Sequence, residues 1–233
     1  MTKFKQGIIG SLIGLFIALS AGVSGAAVNV YAEAAYSETE LVVYIYGAVT
    51  EEAIISAGVK LTYNPAELTN PVAKKNETVW FMGAGTADFP YLDPQVNQGS
   101  VVFLLGRLDS TAPLDGVLGD RVLLGTVNFT RVNPTLPVAD PAALFDLVLQ
   151  LGRGGDYANF VTVANGTNLD ATEVTFAVVI PRERGDANDD GYITNLDLFE
   201  VKNLITANIY KPFADCNADG YVTNLDMFCI KNK

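Results

Sequence analysis

Asp186-Ala187-Asn188-Asp189-Asp190-Gly191-Tyr192-Ile193-Thr194-Asn195-Leu196-Asp197 recurs 29 residues later as Asp215-Cys216-Asn217-Ala218-Asp219-Gly220-Tyr221-Val222-Thr223-Asn224-Leu225-Asp226. Over the longer windows 186–203 and 215–232, twelve of eighteen positions are identical, so the two stretches are copies of one unit. Their spacing suits a hard cation, since calcium takes about six to eight oxygens at about 2.3–2.6 Å. Loop positions one, three and five supply Asp186, Asn188 and Asp190, and Gly191 permits the sharp turn at position six. Tyr192 offers its backbone carbonyl, Thr194 can hold a water, and Asp197 closes the shell from the first turn of a helix. Asp215, Asn217, Asp219, Tyr221, Thr223 and Asp226 repeat each role. The pattern predicts two Ca2+ ions per chain, the plain alternative being a pair of polar Asx turns that bind nothing.

A helix should leave each loop. From Leu196 to about Asn208, Leu198, Val201 and Ile205 recur at helical spacing, and Met227 and Ile230 hold the corresponding places in the second copy. No helix can enter either loop. The stretch 181–185 is too short for one, and Lys211-Pro212-Phe213-Ala214 is interrupted by proline. A loop with only an exiting helix, closed by Asp where EF-hands usually have Glu, resembles the dockerin family over 185–233. That resemblance implies a small α module docking onto a partner chain. It also implies contacts from the residues before each closing aspartate and one turn beyond: Asn195, Leu196, Lys202 and Asn203, then Asn224, Leu225, Lys231 and Asn232. The simpler alternative for the lysines is a solvated helix face. A module of about 48 residues buries little, so bound metal should supply much of its folding energy.

Working back toward the N-terminus, residues 28–180 read as short apolar runs between turn residues. Expected strands are 28–33, 41–46, 57–63, 79–82, 101–105, 122–131, 145–151, 160–164 and 174–180. Phe145, Leu147, Leu149 and Leu151 alternate on one face, as do Val174, Phe176, Val178 and Ile180. Asn64-Pro65, Asn70-Pro71, Gly83–Gly85, Asn133-Pro134 and Gly152–Gly155 act as breakers. About nine such strands predict a mainly β protein built as a two-sheet sandwich. Within it, Gly58-Val59-Lys60-Leu61-Thr62-Tyr63-Asn64-Pro65-Ala66-Glu67-Leu68 resembles the strand and turn of cohesin domains, with Asn64 in place of the usual Asp. The resemblance implies a jelly-roll β-sandwich over about 28–180 whose docking face would use strands near 57–63, 101–105, 122–131 and 160–164. The expected organisation is a leader at 1–26, a sandwich at 27–180, a linker at 181–185 and the calcium module at 186–233.

The leader rests on Lys3 and Lys5, an apolar run from Gly7 to about Val23, and small residues at 24–27. This is a secretory signal pattern cut after Ala26, with a retained anchor and a pilin-like leader as alternatives. On any of these readings the protein leaves the cytoplasm, secreted or held at the cell surface. Two cysteines, Cys216 and Cys229, fit that setting, and a clip across the second loop is conceivable. The first copy has Ala187 and Glu200 there, so the fold does not demand it. Sequons occur at Asn76, Asn128 and Asn165.

Composition excludes several classes. The formal charge is −11, near −13 once Lys3 and Lys5 are gone, which disfavours nucleic acid and favours divalent cations. Histidine is absent, removing the commonest general base, and no carboxylate pair stands out as an acid–base couple. The expectation is therefore a non-catalytic assembly protein. It would pair with a cohesin or dockerin of another chain, or with its own kind, and polysaccharide degradation is implied by the resemblance alone. The rival is a carbohydrate-binding module tethered by a dockerin, which would need exposed aromatics such as Trp80, Phe81, Tyr91 and Tyr157 on one sheet face.

Overall fold

The computed structural model describes residues 27–82, 93–107, 115–152, 160–163, 169 and 173–233. The expected leader, Tyr91, Tyr157 and Asn165 lie outside them. Among the described residues ten strands form one hydrogen-bonded set, where the sequence predicted about nine. In chain order they are β1 (Val28–Tyr36), β2 (Glu40–Thr62), β3 (Leu68–Lys75), β4 (Gln95–Asn97), β5 (Ser100–Gly106), β6 (Val117–Arg131), β7 (Val148–Leu151), β8 (Val161–Thr162), β9 (Val174–Phe176) and β10 (Arg182–Glu183). Among the described residues there are also three helices: α1 (Pro141–Phe145), α2 (Asn195–Ala207) and α3 (Asn224–Lys231).

The 23-residue β2 unites two runs expected as separate strands, and it organises both layers. Its first half pairs with β1 on one edge and β6 on the other, and β6 also carries β3. Its second half pairs with β5 on one edge and with β7 and β8 on the other, and β5 carries β4. Register shifts against β6 between Ile45 and Ile54 let one strand pass from layer to layer. Residues 122–131 therefore lie in the layer of β1, not beside 57–63 and 101–105 as the expected docking face required. Period-two alternation points Leu41, Val43 and Ile45 into the core with Val59, Leu61, Phe103, Leu105 and Leu124.

Other departures have local causes. Asn70-Pro71, read as a breaker, sits inside β3 as a bulge: Asn70 has φ 48°, and the register against β6 shifts between Thr69 and Val72. The expected strand 79–82 is a turn, with Val79 and Trp80 amides donating to the Asn76 carbonyl. Trp80 is fully buried, its indole Nε1 donating to the Leu123 carbonyl at 3.2 Å. The 145–151 run divides into the end of α1 and β7, while Phe145, Leu147 and Leu149 keep their shared buried face. Beyond Phe176 the alternation breaks: Val179 is buried, whereas Val178 is 83% exposed and Ile180 is 60% exposed.

The turn after β2 is built by Asn64. Its Nδ2 donates to the Leu144 carbonyl at 3.0 Å, and its Oδ1 accepts the Ala66 amide at 3.1 Å. Asn therefore serves where the resembling motif has Asp, because the amide supplies a donor that a carboxylate lacks. The connecting stretch 181–185 is not a free tether either. Arg182 and Glu183 form β10, running parallel to β1 at Ala35 and Tyr36.

Candidate metal and docking site

The two loops fold alike because their side chains accept the same loop amides. In the first, Asp186 accepts from Asp190 N at 3.2 Å and Gly191 N at 3.1 Å. Asp190 accepts from Tyr192 N and from the Asn188 side chain, both at 2.9 Å. The second loop repeats these contacts through Asp215, Asn217 and Asp219. Gly191 has φ +83° and Gly220 φ +88°, the left-handed region that a β-carbon disfavours. Asp189 and Ala218, at loop position four, adopt positive φ as well.

The closing aspartates work twice. Asp197 accepts the Thr194 amide at 2.7 Å and the Asn188 amide at 3.1 Å, completing a capping box at the start of α2. Asp226 does the same for Thr223 and Asn217 at the start of α3. The Thr194 and Thr223 hydroxyls, expected to hold water, accept the Leu196 and Leu225 amides at 3.1 Å and so cap their helices.

Four carboxylates are thus sunk in the module: Asp197 and Asp226 are 0% exposed, Asp215 1% and Asp186 5%. Burial raises the Asp186 carboxyl above its ordinary value, against the pull of the Gly191 amide, and the neighbouring Asp197 charge adds to the rise. Burial likewise raises Asp215, opposed by the Gly220 amide and the Tyr210 hydroxyl. Among the described residues, no ion pair reaches Asp186, Asp190 or Asp197. No group of three or more Cys, Asp or Glu side chains there is gathered tightly enough to hold a metal by itself. The donor set nevertheless fits calcium: two buried carboxylates without an ion pair, a third carboxylate, an amide oxygen and a carbonyl in one tight loop are the hard oxygen donors such a cation takes.

The expected partner-contact residues lie on the outside. Leu196 is 58% and Leu225 59% exposed, and Lys202, Asn203, Lys231 and Asn232 are exposed with them. Asn195 and Asn224 open the two helices. The sequence reading missed Phe199 and Phe228, each exposed one helical turn from its leucine; their identity in the two copies was the available signal.

The opposite side of the module faces the sandwich. Val201, Leu204, Phe213, Ala214, Cys216 and Ile230 bury against Ala35 of β1 and Val42 of β2. Glu33 of β1 binds Arg121 of β6 through both oxygens, at 2.5 and 2.7 Å, and takes Lys211 at 2.7 Å. Arg184 ties the Glu40 carboxylate at 2.8 Å to the Asp215 carbonyl at 3.2 Å. Cys216 and Cys229 are disulfide-bonded with Cα atoms 5.9 Å apart, closing the clip that the sequence left open. Of the aromatics a carbohydrate platform would need, Trp80 is in the core and Phe81 lies beneath Arg107. The Asn76 amide is engaged with the Leu123 carbonyl, while Asn128 is exposed on β6.

Residues 184–233 match the family model of the dockerin type I domain. No curated protein matches the chain in sequence. Among solved structures, the chain is similar to the third ScaC cohesin of Acetivibrio cellulolyticus in complex with the ScaB dockerin, at 11% identity and TM-score 0.45, covering 66% of this chain and 96% of that one. It is also similar to the seventh ScaB type I cohesin of Pseudobacteroides cellulosolvens, at 16% identity and TM-score 0.43, covering 67% and 91%. A non-cellulosomal cohesin of the archaeon Archaeoglobus fulgidus follows at 16% identity and TM-score 0.41, covering 67% and 90%. Overlaps this loose leave the sandwich to be argued from its own strands.

Proposed function

We propose that this chain is a secreted, non-catalytic adaptor whose C-terminal module binds two calcium ions and docks onto a cohesin-type sandwich of another chain. The observation that carries this reading is the type I dockerin match at 184–233 on a module with four buried loop carboxylates. Calcium would be held by Asp186, Asn188, Asp190, Asp197 and the Tyr192 carbonyl, and by their second-copy counterparts Asp215, Asn217, Asp219, Asp226 and Tyr221. Bound there, the ion neutralises the carboxylates and fixes the loops, while the chain's own caps at Thr194 and Thr223 aim both exit helices.

Docking would use the exposed edges Asn195–Leu196 with Lys202–Asn203, and Asn224–Leu225 with Lys231–Asn232. The module packs on its own sandwich through the other side, so both edges stay free for a partner. The sandwich, cohesin-like over the strand and turn at 58–68, is the natural receiver. Its second layer, formed by β4, β5, the second half of β2, β7 and β8, is not the layer on which its own module rests. A second copy docking there would propagate head to tail, because the two contact surfaces differ.

Binding of the immobilised full chain to a panel of cohesins, and to itself, in calcium and in chelator tests this. Capture in calcium that is lost in chelator supports the reading. Equal capture in both conditions, or none by any cohesin or by the chain itself, contradicts it.

A further inference from the structure

The two loops match internally, but their surroundings do not. Twenty-nine residues before Tyr210 stands Pro181, and before Lys211, Phe213 and Ala214 stand Arg182, Arg184 and Gly185. The copies diverge in the segment that leads into each loop: the first leader joins the sandwich through β10, whereas the second reaches it through the Tyr210 side chain, which also touches its own loop. There the Tyr44 hydroxyl of β2 donates to the Tyr210 hydroxyl at 3.2 Å, and Tyr210 donates onward to Asp215 Oδ2 at 3.1 Å. The Tyr210 carbonyl accepts from Arg121 at 2.7 Å, which holds the tyrosine to β6 as well. Asp215 Oδ2 therefore carries two donors, Tyr210 and the Gly220 amide, and its own carbonyl takes Arg184. In the first loop the equivalent oxygen of Asp186 has the Gly191 amide as its one donor among the described residues.

We propose that the sandwich is a working part of the second calcium site: Tyr44, acting through Tyr210, positions the Asp215 carboxylate, whereas among the described residues the Asp186 carboxylate of the first site receives no such side-chain donor. This rests on the calcium reading given above. A donor fixed on one carboxylate oxygen sets the direction of the other and removes rotational freedom that binding would otherwise cost. Hydrogen bonds of this outer kind raise metal affinity by about 10–100-fold. The coupling runs both ways, so an ion in the second loop should tighten the hold of Tyr210 on Tyr44 of β2, and an ion in the first should leave that contact unchanged.

Titration of the full-length chain with calcium alone tests this in two backgrounds. In Asp190→Ala only the second loop is left to bind. Tyr210→Phe should weaken that site by about tenfold or more, Tyr44→Phe should weaken it less but in the same direction, and the double variant should be no worse than Tyr210→Phe. In Asp219→Ala, where the first loop remains, neither change should move the constant. A Tyr44→Phe constant equal to its parent, or an equal loss at both sites, overturns the inference while leaving two-ion binding intact. A wild-type chain that takes up no calcium overturns both. Melting of each variant in saturating calcium within a few degrees of its parent shows that the fold is unchanged.

Discussion

The hydroxyls of Tyr44 and Tyr210 lie 3.2 Å apart with ring centroids at 5.3 Å, one ring from β2 and the other from the segment joining the two duplicated loops. This contact sits in a continuous stack, since Tyr44 packs on Tyr46 and Tyr46 on Tyr31 along the outer face of the sheet. The face is covered because β1 and β2 place Ala35, Val42 and Glu33 outward, where α2, α3 and 211–214 close over them. Sandwich and C-terminal module share a core, which bears on how far the proposed ions are needed for folding. A module of this size would lean on the ion alone. Here apolar contact with Ala35 and Val42 and the Cys216–Cys229 bridge carry part of the load, so chelation should loosen the loops before it unfolds the helices.

Glu33 is the polar centre of that contact, buried and shared by Arg121 and Lys211. Glu33→Ala leaves two cations without their partner in a partly dry interface. The expected cost is about 2 kcal/mol, between that of a surface pair and that of a buried one. Urea denaturation reads it. A change below about 0.5 kcal/mol would mean that the ion cluster is no more than surface decoration.

The disulfide predicts a chemical count. Unfolded without reductant, the chain should present no reactive thiol, and after reduction it should present two. The bridge spans a separation of 13 residues, and loop-entropy reasoning puts its contribution near 3 kcal/mol. A Cys216→Ala, Cys229→Ser double variant should lose about that much, measured in chelator, where the ion cannot mask the loss.

Three kinds of signal in the sequence differ in how far they are legible. The loops were legible because ligand chemistry and glycine turns act within twelve residues, and duplication made them unmistakable. The period-two strands were legible where burial on one face is continuous, as at Leu41, Val43 and Ile45 of β2. Strand β3 was not, because Asn70-Pro71 resembles a stop until a bulge accommodates it. Val178 and Ile180 were expected to share a strand face with Val174 and Phe176, because periodicity cannot announce the residue at which a strand ends. The role of Tyr210 depends on a residue 166 positions away, and only the loss of repeat identity at Pro181 hinted at it.

The near-identity of the docking edges predicts a two-way mode. Rotating the module by half a turn presents the same Asn, Leu and Lys in the same order. Leu196→Asp with Lys202→Glu should weaken partner binding only severalfold, and adding Leu225→Asp with Lys231→Glu should abolish it. Surface plasmon resonance against a captured cohesin checks this. Complete loss from the first pair alone would make α2 the sole binding edge.

Acid should weaken the ion before it harms the fold. Burial raises the Asp186 and Asp215 carboxyls above their ordinary value, so the metal-free fold binds protons more readily than the unfolded chain. For that form, stability contributed by these two groups rises as pH falls from neutrality toward about 3.9, the unfolded carboxylate value. Calcium requires the same groups ionised, so protons compete with it across that window. The rise in melting temperature on adding calcium should therefore shrink steadily below neutral pH. A calcium-induced rise that stays constant down to about pH 4 would exclude these aspartates as ligands.

Calorimetric titration of the full chain with calcium at neutral pH tests the central claim most directly. Two ions per chain are expected for the wild type and one each for Asp190→Ala and Asp219→Ala, with chelator reversing uptake in every case. A wild-type chain that releases no binding heat, and whose far-ultraviolet circular dichroism and melting are identical in calcium and in chelator, would contradict it.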